Sequence, residues 1–208
     1  MSNNLARATL ARQAFRLNAA CPRNLPALIL LTDDERLPDP LAAASSLPRG
    51  SAVILRSRSK ATCYALAAPL REIAWKNDLF FLVADDPQLA MKVQANGIHL
   101  PEKRAHEASH WRALYPDWLI TCAAHSERGV LRAKAFGADA VLLSPVFQTR
   151  SHPDRAPLAQ IRLRFIAMSV SVPIYALGGI DARNAARLQG APLAGIAAIG
   201  ALKVRREI

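Results

Sequence analysis

The sequence predicts a single α/β domain, residues 1–208, folded as a (β/α)₈ TIM barrel with an extra N-terminal helix. Eight short apolar segments alternate with segments of helical periodicity, which is the pattern of parallel β-α-β units. The last two apolar segments end at glycines, Gly178-Gly179 and Gly200, and barrels of this kind form a phosphate site after their last two strands. A doubly wound open sheet is disfavoured, because no glycine-rich turn follows the first strand.

The extra helix is predicted for residues 1–24, where four arginines and no acidic residue accompany apolar residues at helical spacing. An organelle transit peptide has the same composition and is the alternative. The strand pattern begins directly after Pro26, which favours a helix that plugs or flanks the amino-terminal end of the barrel.

The predicted strands are apolar runs bounded by polar or turn-forming residues. The first, residues 28–32, is continuously apolar, as expected when helices cover one face of a parallel sheet and the barrel interior the other. The other strands are predicted at residues 52–55, 79–83, 98–100, 118–122, 140–143, 172–177 and 195–202. Helices between them are predicted at residues 61–75, 88–94, 127–136 and 161–169, the helix at 127–136 being closed by Gly137.

The composition is that of a globular protein with a short-looped barrel. The 208 residues include 51% hydrophobic and 21% charged residues, whereas such barrels usually need about 250 residues. No apolar run approaches the roughly 20 residues that span a bilayer, so no membrane partner is expected. The three cysteines are far apart and show no metal or redox spacing. They are therefore expected to be reduced thiols in a cytoplasmic protein.

The net charge of +11 comes from arginines spread over the whole length of the chain. This distribution favours an anionic small molecule over a nucleic acid as partner, since no nucleic-acid-binding motif accompanies the charge. The sequence leaves the oligomeric state open, and a homo-oligomer is compatible with it.

Polar residues gather directly after the predicted strands, and in a parallel barrel these positions share the rim that holds active sites. Acids, bases and a histidine on one rim indicate an anionic substrate and proton-transfer chemistry. The residues are Asp33, Asp34, Arg56, Arg58, Lys60, Asp85, Asp86, Glu102, Lys103, His125, Ser126, Thr149, Ser151 and His152.

Six short motifs add a family resemblance. They are Asn96-Gly-Ile-His-Leu100, Ala124-His-Ser126, Gly137-Ala-Asp-Ala-Val141, Ser144-Pro-Val-Phe-Gln-Thr149, Tyr175-Ala-Leu-Gly-Gly-Ile180 and Ala194-Gly-Ile-Ala-Ala198. In order and spacing they resemble the thiamine phosphate synthase/TenI family of barrels, from about residue 28 to residue 202. The resemblance implies a role in thiamine biosynthesis and a small-molecule ligand, thiazole phosphate.

The resemblance also implies roles for individual residues. Gly178, Gly179 and Gly200 correspond to the turns that bind the phosphate of thiazole phosphate. On the other side of the mouth, Arg56 and Arg58 occupy positions that grip a pyrimidine diphosphate in synthases. The preceding glutamine of that pattern is Ile54 here. After the sixth strand, Thr149, Ser151 and His152 stand where the family has Thr-x-Thr-Lys, and they are expected to contact substrate.

The metal side departs further from the family pattern. Synthases use Mg²⁺ to neutralise the departing pyrophosphate, and Asp85 matches one of the two metal-binding aspartates. The second aspartate is replaced by Arg104. Glu102 or Asp86 are alternatives for the missing ligand, and Arg104 itself is an alternative clamp for pyrophosphate. Mg²⁺ is therefore the expected cofactor only if the protein is a synthase.

The TenI type of the family lacks the synthase reaction and aromatises a thiazole phosphate tautomer, without a cofactor. Its associated acid/base is a histidine in a His-Ser motif after the fifth strand, which His125-Ser126 matches. Imidazole can accept and return a proton near neutral pH. The sequence thus predicts a thiazole tautomerase with His125 as the catalytic residue. A thiamine phosphate synthase with a remodelled diphosphate site and a non-catalytic binder of thiamine intermediates are the two alternatives.

Overall fold

The computed structural model describes residues 3–21, 24–149 and 156–204. Eight parallel strands form a closed barrel in sequence order, and β1 pairs with both β2 and β8. The predicted (β/α)₈ barrel is therefore confirmed. The strands are β1 (Leu28–Leu31), β2 (Ala52–Leu55), β3 (Phe80–Ala84), β4 (Gly97–Leu100), β5 (Leu119–Ala124), β6 (Ala140–Leu143), β7 (Ile174–Leu177) and β8 (Gly195–Ala198).

Seven α-helices cover the barrel within the described residues. They are α1 (Asn3–Asn18), α2 (Pro40–Ser45), α3 (Lys60–Lys76), α4 (Pro87–Lys92), α5 (Ala108–Leu114), α6 (Glu127–Ala135) and α7 (Ala159–Ser169). Side-chain oxygens of Ser59, Asp86 and Ser126 accept hydrogen bonds from the first turns of α3, α4 and α6. These caps satisfy amides that have no partner inside the helix. Each cap closely follows a strand, so the caps fix where the chain leaves the barrel rim.

Several segments differ from the sequence prediction. Strand β5 runs two residues further than predicted, to Ala124. Strand β8 ends at Ala198, because residues 200–202 form a 3₁₀ helix in which the Leu202 amide donates to the Ile199 carbonyl. Between β4 and β5 the chain forms a 3₁₀ helix and α5, which the sequence does not predict. The connection from β7 to β8 contains a 3₁₀ helix, Ala185–Leu188, in place of an α-helix.

Helix α1 flanks the barrel at the seam between β1 and β8. Its buried residues face the strands, and they are Leu10, Ala11, Ala14 and Leu17. At its end, the Asn18 side-chain amide donates to the carbonyl oxygens of Leu25 and Ala194, at 3.1 and 2.7 Å, just before β1 and β8. Since only a 3₁₀ helix follows β8 among the described residues, α1 supplies the apolar cover that this seam requires. The predicted flanking position is confirmed.

Cys21, Cys63 and Cys122 are all unpaired in the structure. Within residues 3–21, 24–149 and 156–204, none of the helices has the length and apolarity needed to cross a bilayer.

A histidine inside the barrel gives a first testable prediction. The His99 ring on β4 is buried and lies 2.9 Å from the Thr121 hydroxyl on β5. Burial, with a smaller contribution from the positive charge of Arg56, lowers the pKa of His99 to about 4. The folded protein therefore keeps this ring neutral while the unfolded chain takes up a proton, with a pKa of about 6.5.

We expect the free energy of unfolding to fall by about 3 kcal/mol from this group alone as the pH drops from about 6.5 to about 4. The loss occurs between these two values because only there does the unfolded chain bind more protons than the folded one. Urea unfolding of the wild type and of His99→Gln at about pH 7 and about pH 4.5 checks this. An equally steep loss in the variant would contradict the prediction, because a glutamine side chain does not titrate.

Candidate active site

The carboxyl ends of the eight strands bring the predicted polar residues onto one rim, where neighbouring loops are joined by hydrogen bonds. The Arg56 guanidinium after β2 donates to Asp33 after β1 at 3.2 Å. The Arg104 guanidinium after β4 donates to the Asp85 carbonyl after β3 at 3.0 Å. The His125 amide after β5 donates to Glu102 at 2.9 Å. The rim predicted from the sequence is thus a set of loops connected by side chains.

The turn after β7 exposes backbone amides. Gly178 and Gly179 adopt φ angles of +97° and +68°, which residues with a side chain rarely adopt. A Cβ atom at Gly179 would lie 2.5 Å from the Gln148 carbonyl oxygen, so the turn is pressed against the β6–α7 loop. No residue in the described part of the chain accepts a hydrogen bond from either amide. Free amides at this position can receive an anion such as a phosphate.

The turn after β8 has room for a small side chain, unlike the turn after β7. Gly200 begins a 3₁₀ helix and has no positive φ angle. A Cβ atom there would meet only the Arg36 carbonyl oxygen, at 3.7 Å, which is an ordinary contact. Its amide, like those of Gly178 and Gly179, has no acceptor among residues 3–21, 24–149 and 156–204. Gly200 can therefore contribute an amide to the same anion, but a small side chain would also fit.

His125 is exposed at the rim, and its ring is oriented by the β6 loop. Nδ1 lies 2.9 Å from the Ser144 carbonyl oxygen and 3.2 Å from the Ser144 hydroxyl. A carbonyl oxygen can only accept, so Nδ1 carries the proton in the neutral ring. Nε2 is then the atom with a lone pair, and no described residue bonds to it. Nε2 of His125 is thus available to exchange a proton with a ligand, while Nδ1 on the other side of the ring contacts Ser144.

Ser144 connects His125 to the glycine turn. The next residue, Pro145, has its Cα atom 2.9 Å from where a Cβ atom of Gly178 would be. The Thr149 methyl group lies 3.4 Å from the same point. The loop at residues 144–149, which ends at Thr149, therefore contacts both His125 and the glycine turn. The predicted residues Ser151 and His152 lie outside the described residues.

Glu102 holds the backbone of His125. One carboxylate oxygen accepts the His125 amide at 2.9 Å. The other would lie 2.6 Å from a Cβ atom at Gly129, so the glycine in α6 leaves room for the carboxylate. Glu102 is thus a support for the histidine, whereas the sequence offers it as an alternative metal ligand.

On the opposite side of the barrel mouth, the arginines predicted to bind a diphosphate are already paired with carboxylates. Arg56 is paired with Asp33, and Arg58 lies 3.1 Å from Glu35. The Arg58 amide also donates to Asp34 at 3.0 Å. These residues line a cavity of only 40 Å³. Hydrogen bonding from Arg36 holds the pKa of Asp33 well below its usual range, so this carboxylate is charged and competes with any bound anion.

The predicted metal side is closed by ion pairs. The Arg104 guanidinium contacts the Asp85 carboxylate and lies 2.6 and 2.7 Å from the two oxygens of Glu107. The bond to Glu107 is the main cause that raises the pKa of Arg104, so the guanidinium remains charged. Asp86 is used as the cap of α4. In the described ranges no group of three or more His, Cys, Asp or Glu residues could hold a metal. These contacts do not fit a Mg²⁺ site.

Two supporting contacts are not predicted from the sequence. The Ser144 carbonyl that orients His125 carries no sequence signal, because every residue has a carbonyl oxygen. Glu107 follows Arg104 at a spacing of three, which is a helical contact distance. That spacing is a usable signal only once a helical segment is recognised between β4 and β5, and the sequence prediction contains none there.

A family model described as thiamine monophosphate synthase matches residues 28–202. The thiamine-phosphate synthase of Pyrococcus furiosus is 30% identical over 190 residues, which span 89% of this chain and 91% of that protein. A protein of Aquifex aeolicus, described as a thiamine-phosphate synthase, is 35% identical over 117 residues, 56% of this chain, and the match spans only 62% of its own length. The solved structure of thiamine phosphate pyrophosphorylase from Pyrococcus furiosus superposes with a TM-score of 0.74 at 26% identity, over 88% of this chain and 89% of that one.

Proposed function

This chain belongs to the thiamine monophosphate synthase family, and from that premise we propose that it binds a thiazole phosphate and isomerises it by proton transfer. The activity is that of a TenI-type thiazole tautomerase. One observation carries this proposal: the loop that begins at Ser144 orients the His125 ring and also contacts the glycine turn, and neither Nε2 of His125 nor the turn amides have a described partner. The coarser statement, an enzyme of thiamine biosynthesis, is supported by the family match and by the relatives.

The proposed reaction needs one group that removes a proton and returns it. Nε2 of His125 takes a proton from the saturated ring carbon of the tautomer, and the imidazolium then protonates an exocyclic carbon, so that the ring becomes aromatic. No atom or electron is gained or lost, so no cofactor is required. The Ser144 carbonyl, which accepts from Nδ1 at 2.9 Å, stabilises the positive charge that the ring carries between the two steps.

The phosphate of the same substrate would be held by the amides of Gly178, Gly179 and Gly200. Backbone amides are fixed before the ligand arrives, so little ordering is needed on binding. Thr149 is close enough to Gly178 to contact the ligand. Ser151 and His152 remain predicted substrate contacts of the loop that follows. The expected partner is thus a small phosphate ester, and we expect neither nucleic acid nor membrane to be a partner.

The second candidate is thiamine phosphate synthase, and the printed function of the relatives favours it. Against it, Arg56, Arg58 and Asp85 are all engaged in ion pairs. A synthase would have to break these pairs to admit a diphosphate and a metal ion. The third candidate, a protein that binds a thiamine intermediate without turnover, is distinguished only by assay.

One experiment separates the three candidates. The purified protein is incubated with the thiazole phosphate tautomer, and separately with thiazole phosphate, the pyrimidine diphosphate and Mg²⁺. We expect faster aromatisation in the first reaction and no thiamine phosphate above background in the second. Formation of thiamine phosphate would instead identify a synthase. Binding without turnover of either substrate would identify a sensor.

Glu102 gives a matched prediction within the site. We expect Glu102→Ala to lower kcat for isomerisation about 10-fold, because the His125 backbone loses its acceptor and the ring is less well positioned. Glu102→Gln retains an oxygen acceptor and should recover most of the rate. Steady-state kinetics on the tautomer measures both variants. Equal losses in the two variants would show that the negative charge, and not positioning, is what the site requires.

A further inference from the structure

Helix α7 presents an apolar stripe to solvent. Ile161, Phe165 and Met168 follow each other at spacings of four and three, which places them on one face of the helix. Their exposed fractions are 71%, 69% and 64%. The opposite face holds the residues that pack on the barrel, Leu163, Ile166 and Ala167. A stripe of three large apolar side chains facing water is characteristic of an interaction surface.

The stripe continues into a groove at the amino-terminal end of the barrel. The groove has a volume of 430 Å³ and lies between α1, α7 and the turn at residues 189–192. Met168, Leu17 and Pro192 contribute its apolar lining, and Arg16 and Arg164 its charges. A hydrogen bond of 2.5 Å between Gln13 and Gln189 ties α1 to the turn. Two of the three groove walls are therefore joined by a hydrogen bond.

The segments that border the groove carry basic but no acidic residues. Residues 3–18, 159–169 and 185–194 contain no aspartate or glutamate. No described residue forms an ion pair or hydrogen bond with the guanidinium groups of Arg16 and Arg164, and Arg164 extends over Gly190. The groove therefore presents two positive charges, those of Arg16 and Arg164, that no described carboxylate neutralises.

We propose that this surface, the α7 stripe together with the adjoining groove, docks an acidic amphipathic helix of another protein. The apolar stripe extends over about 10 Å of helix, so an occupant that covers both stripe and groove must be elongated. The basic border requires glutamates or aspartates around its apolar residues. The groove lies at the end of the barrel away from the candidate active site, and the proposal does not depend on the proposed function.

Three other occupants fit the surface less well. A second copy docking by two-fold symmetry would place these arginines against themselves with no carboxylate to pair them. A bilayer is flat, whereas the groove is concave. A small anionic molecule could fill the groove but would leave Ile161 and Phe165 exposed.

The probe is a fluorescein-labelled helical peptide of about 18 residues, with leucines at i, i+3, i+4 and i+7 and glutamates elsewhere. Fluorescence anisotropy with the full chain should show saturable binding that weakens as salt is added. We expect Phe165→Ser and Arg164→Glu each to weaken binding about 10-fold or more. Trp75→Ser and Arg132→Glu are matched controls on other helices, with Trp75 74% exposed, and they should leave binding unchanged.

Equal effects of Phe165→Ser and Trp75→Ser on peptide binding would overturn the proposal. So would wild-type dimers, measured by sedimentation, that Phe165→Ser converts to monomers. Binding to anionic lipid vesicles but not to the peptide would assign the surface to a membrane instead. Circular dichroism of each variant confirms that these exposed positions can be changed without loss of the fold.

Discussion

His125→Ala is expected to lower kcat for isomerisation of the thiazole phosphate tautomer by about 100- to 10,000-fold, the usual contribution of a general acid/base. The substitution removes the free Nε2 atom but leaves the glycine turn and its amides in place. Affinity for the product thiazole phosphate should therefore change less than about threefold. Steady-state kinetics gives the first quantity and isothermal titration calorimetry the second.

His106→Ala is the matched control, since His106 is also exposed but its ring packs against Phe136, at the end of α6, with 6.3 Å between ring centroids. It should leave both quantities unchanged. If His125→Ala lost rate and affinity in equal proportion, the histidine would be a binding group and its role as proton carrier would be refuted. A rate unaffected by the substitution would remove His125 from the mechanism.

Gly179→Ala is expected to weaken binding of thiazole phosphate about 100-fold. The added Cβ atom would lie 2.5 Å from the Gln148 carbonyl oxygen and 2.9 Å from the Phe147 carbonyl carbon. Because both are backbone atoms, the turn itself must move. The amides of residues 178 and 179 then no longer point towards the phosphate. Hydrogen bonds to a charged group are worth about 1.5–3 kcal/mol each, and one to two of them account for this loss.

Gly200→Ala tests the same site without the clash, since its Cβ atom would meet only the Arg36 carbonyl oxygen at 3.7 Å. Its affinity should stay within about threefold of the wild type. Titration calorimetry with thiazole phosphate measures both variants, and urea unfolding establishes that each one folds. Wild-type affinity in a folded Gly179→Ala protein would show that the phosphate binds elsewhere.

The two halves of the barrel mouth differ in the hydrogen-bond donors that they leave available to an anion. On the β7–β8 side, amides have no described acceptor and His125 has a free nitrogen. On the β1–β4 side, the arginines of the predicted diphosphate and metal sites are already paired, Arg56 with Asp33 and Arg104 with Asp85. An anion must displace a carboxylate from these arginines, whereas the amides of the glycine turns have no described acceptor to displace. This asymmetry is the physical basis for preferring the isomerisation over a reaction that releases pyrophosphate.

The charge of the chain has a structural explanation that its linear distribution conceals. Arg16 and Arg164 are 148 residues apart in the sequence but line one groove, because the ends of α1 and α7 both lie beside the turn at residues 189–192. Charge that is unopposed there must be solvated or met by a partner. Composition alone cannot distinguish these outcomes, because it does not record which segments become neighbours.

The sequence by itself determined the barrel, its strand order and the rim on which the polar residues lie. It could do so because hydrophobic periodicity, apolar runs and glycine turns are local properties of the chain. In addition, parallel strands that alternate with helices have few ways to pack. It also located His125 and the turn at Gly178-Gly179, since both directly follow strands.

Only the tertiary structure decided which of these residues are free to act. Arg56 and Asp33 are 23 residues apart, and Ser144 supports His125 from 19 residues away through a backbone carbonyl. It also turned Ile161, Phe165 and Met168 outward, although the same spacing would equally suit a buried face. Pairing, orientation and exposure depend on which atoms come within about 3 Å of each other, and chain separation does not set that distance.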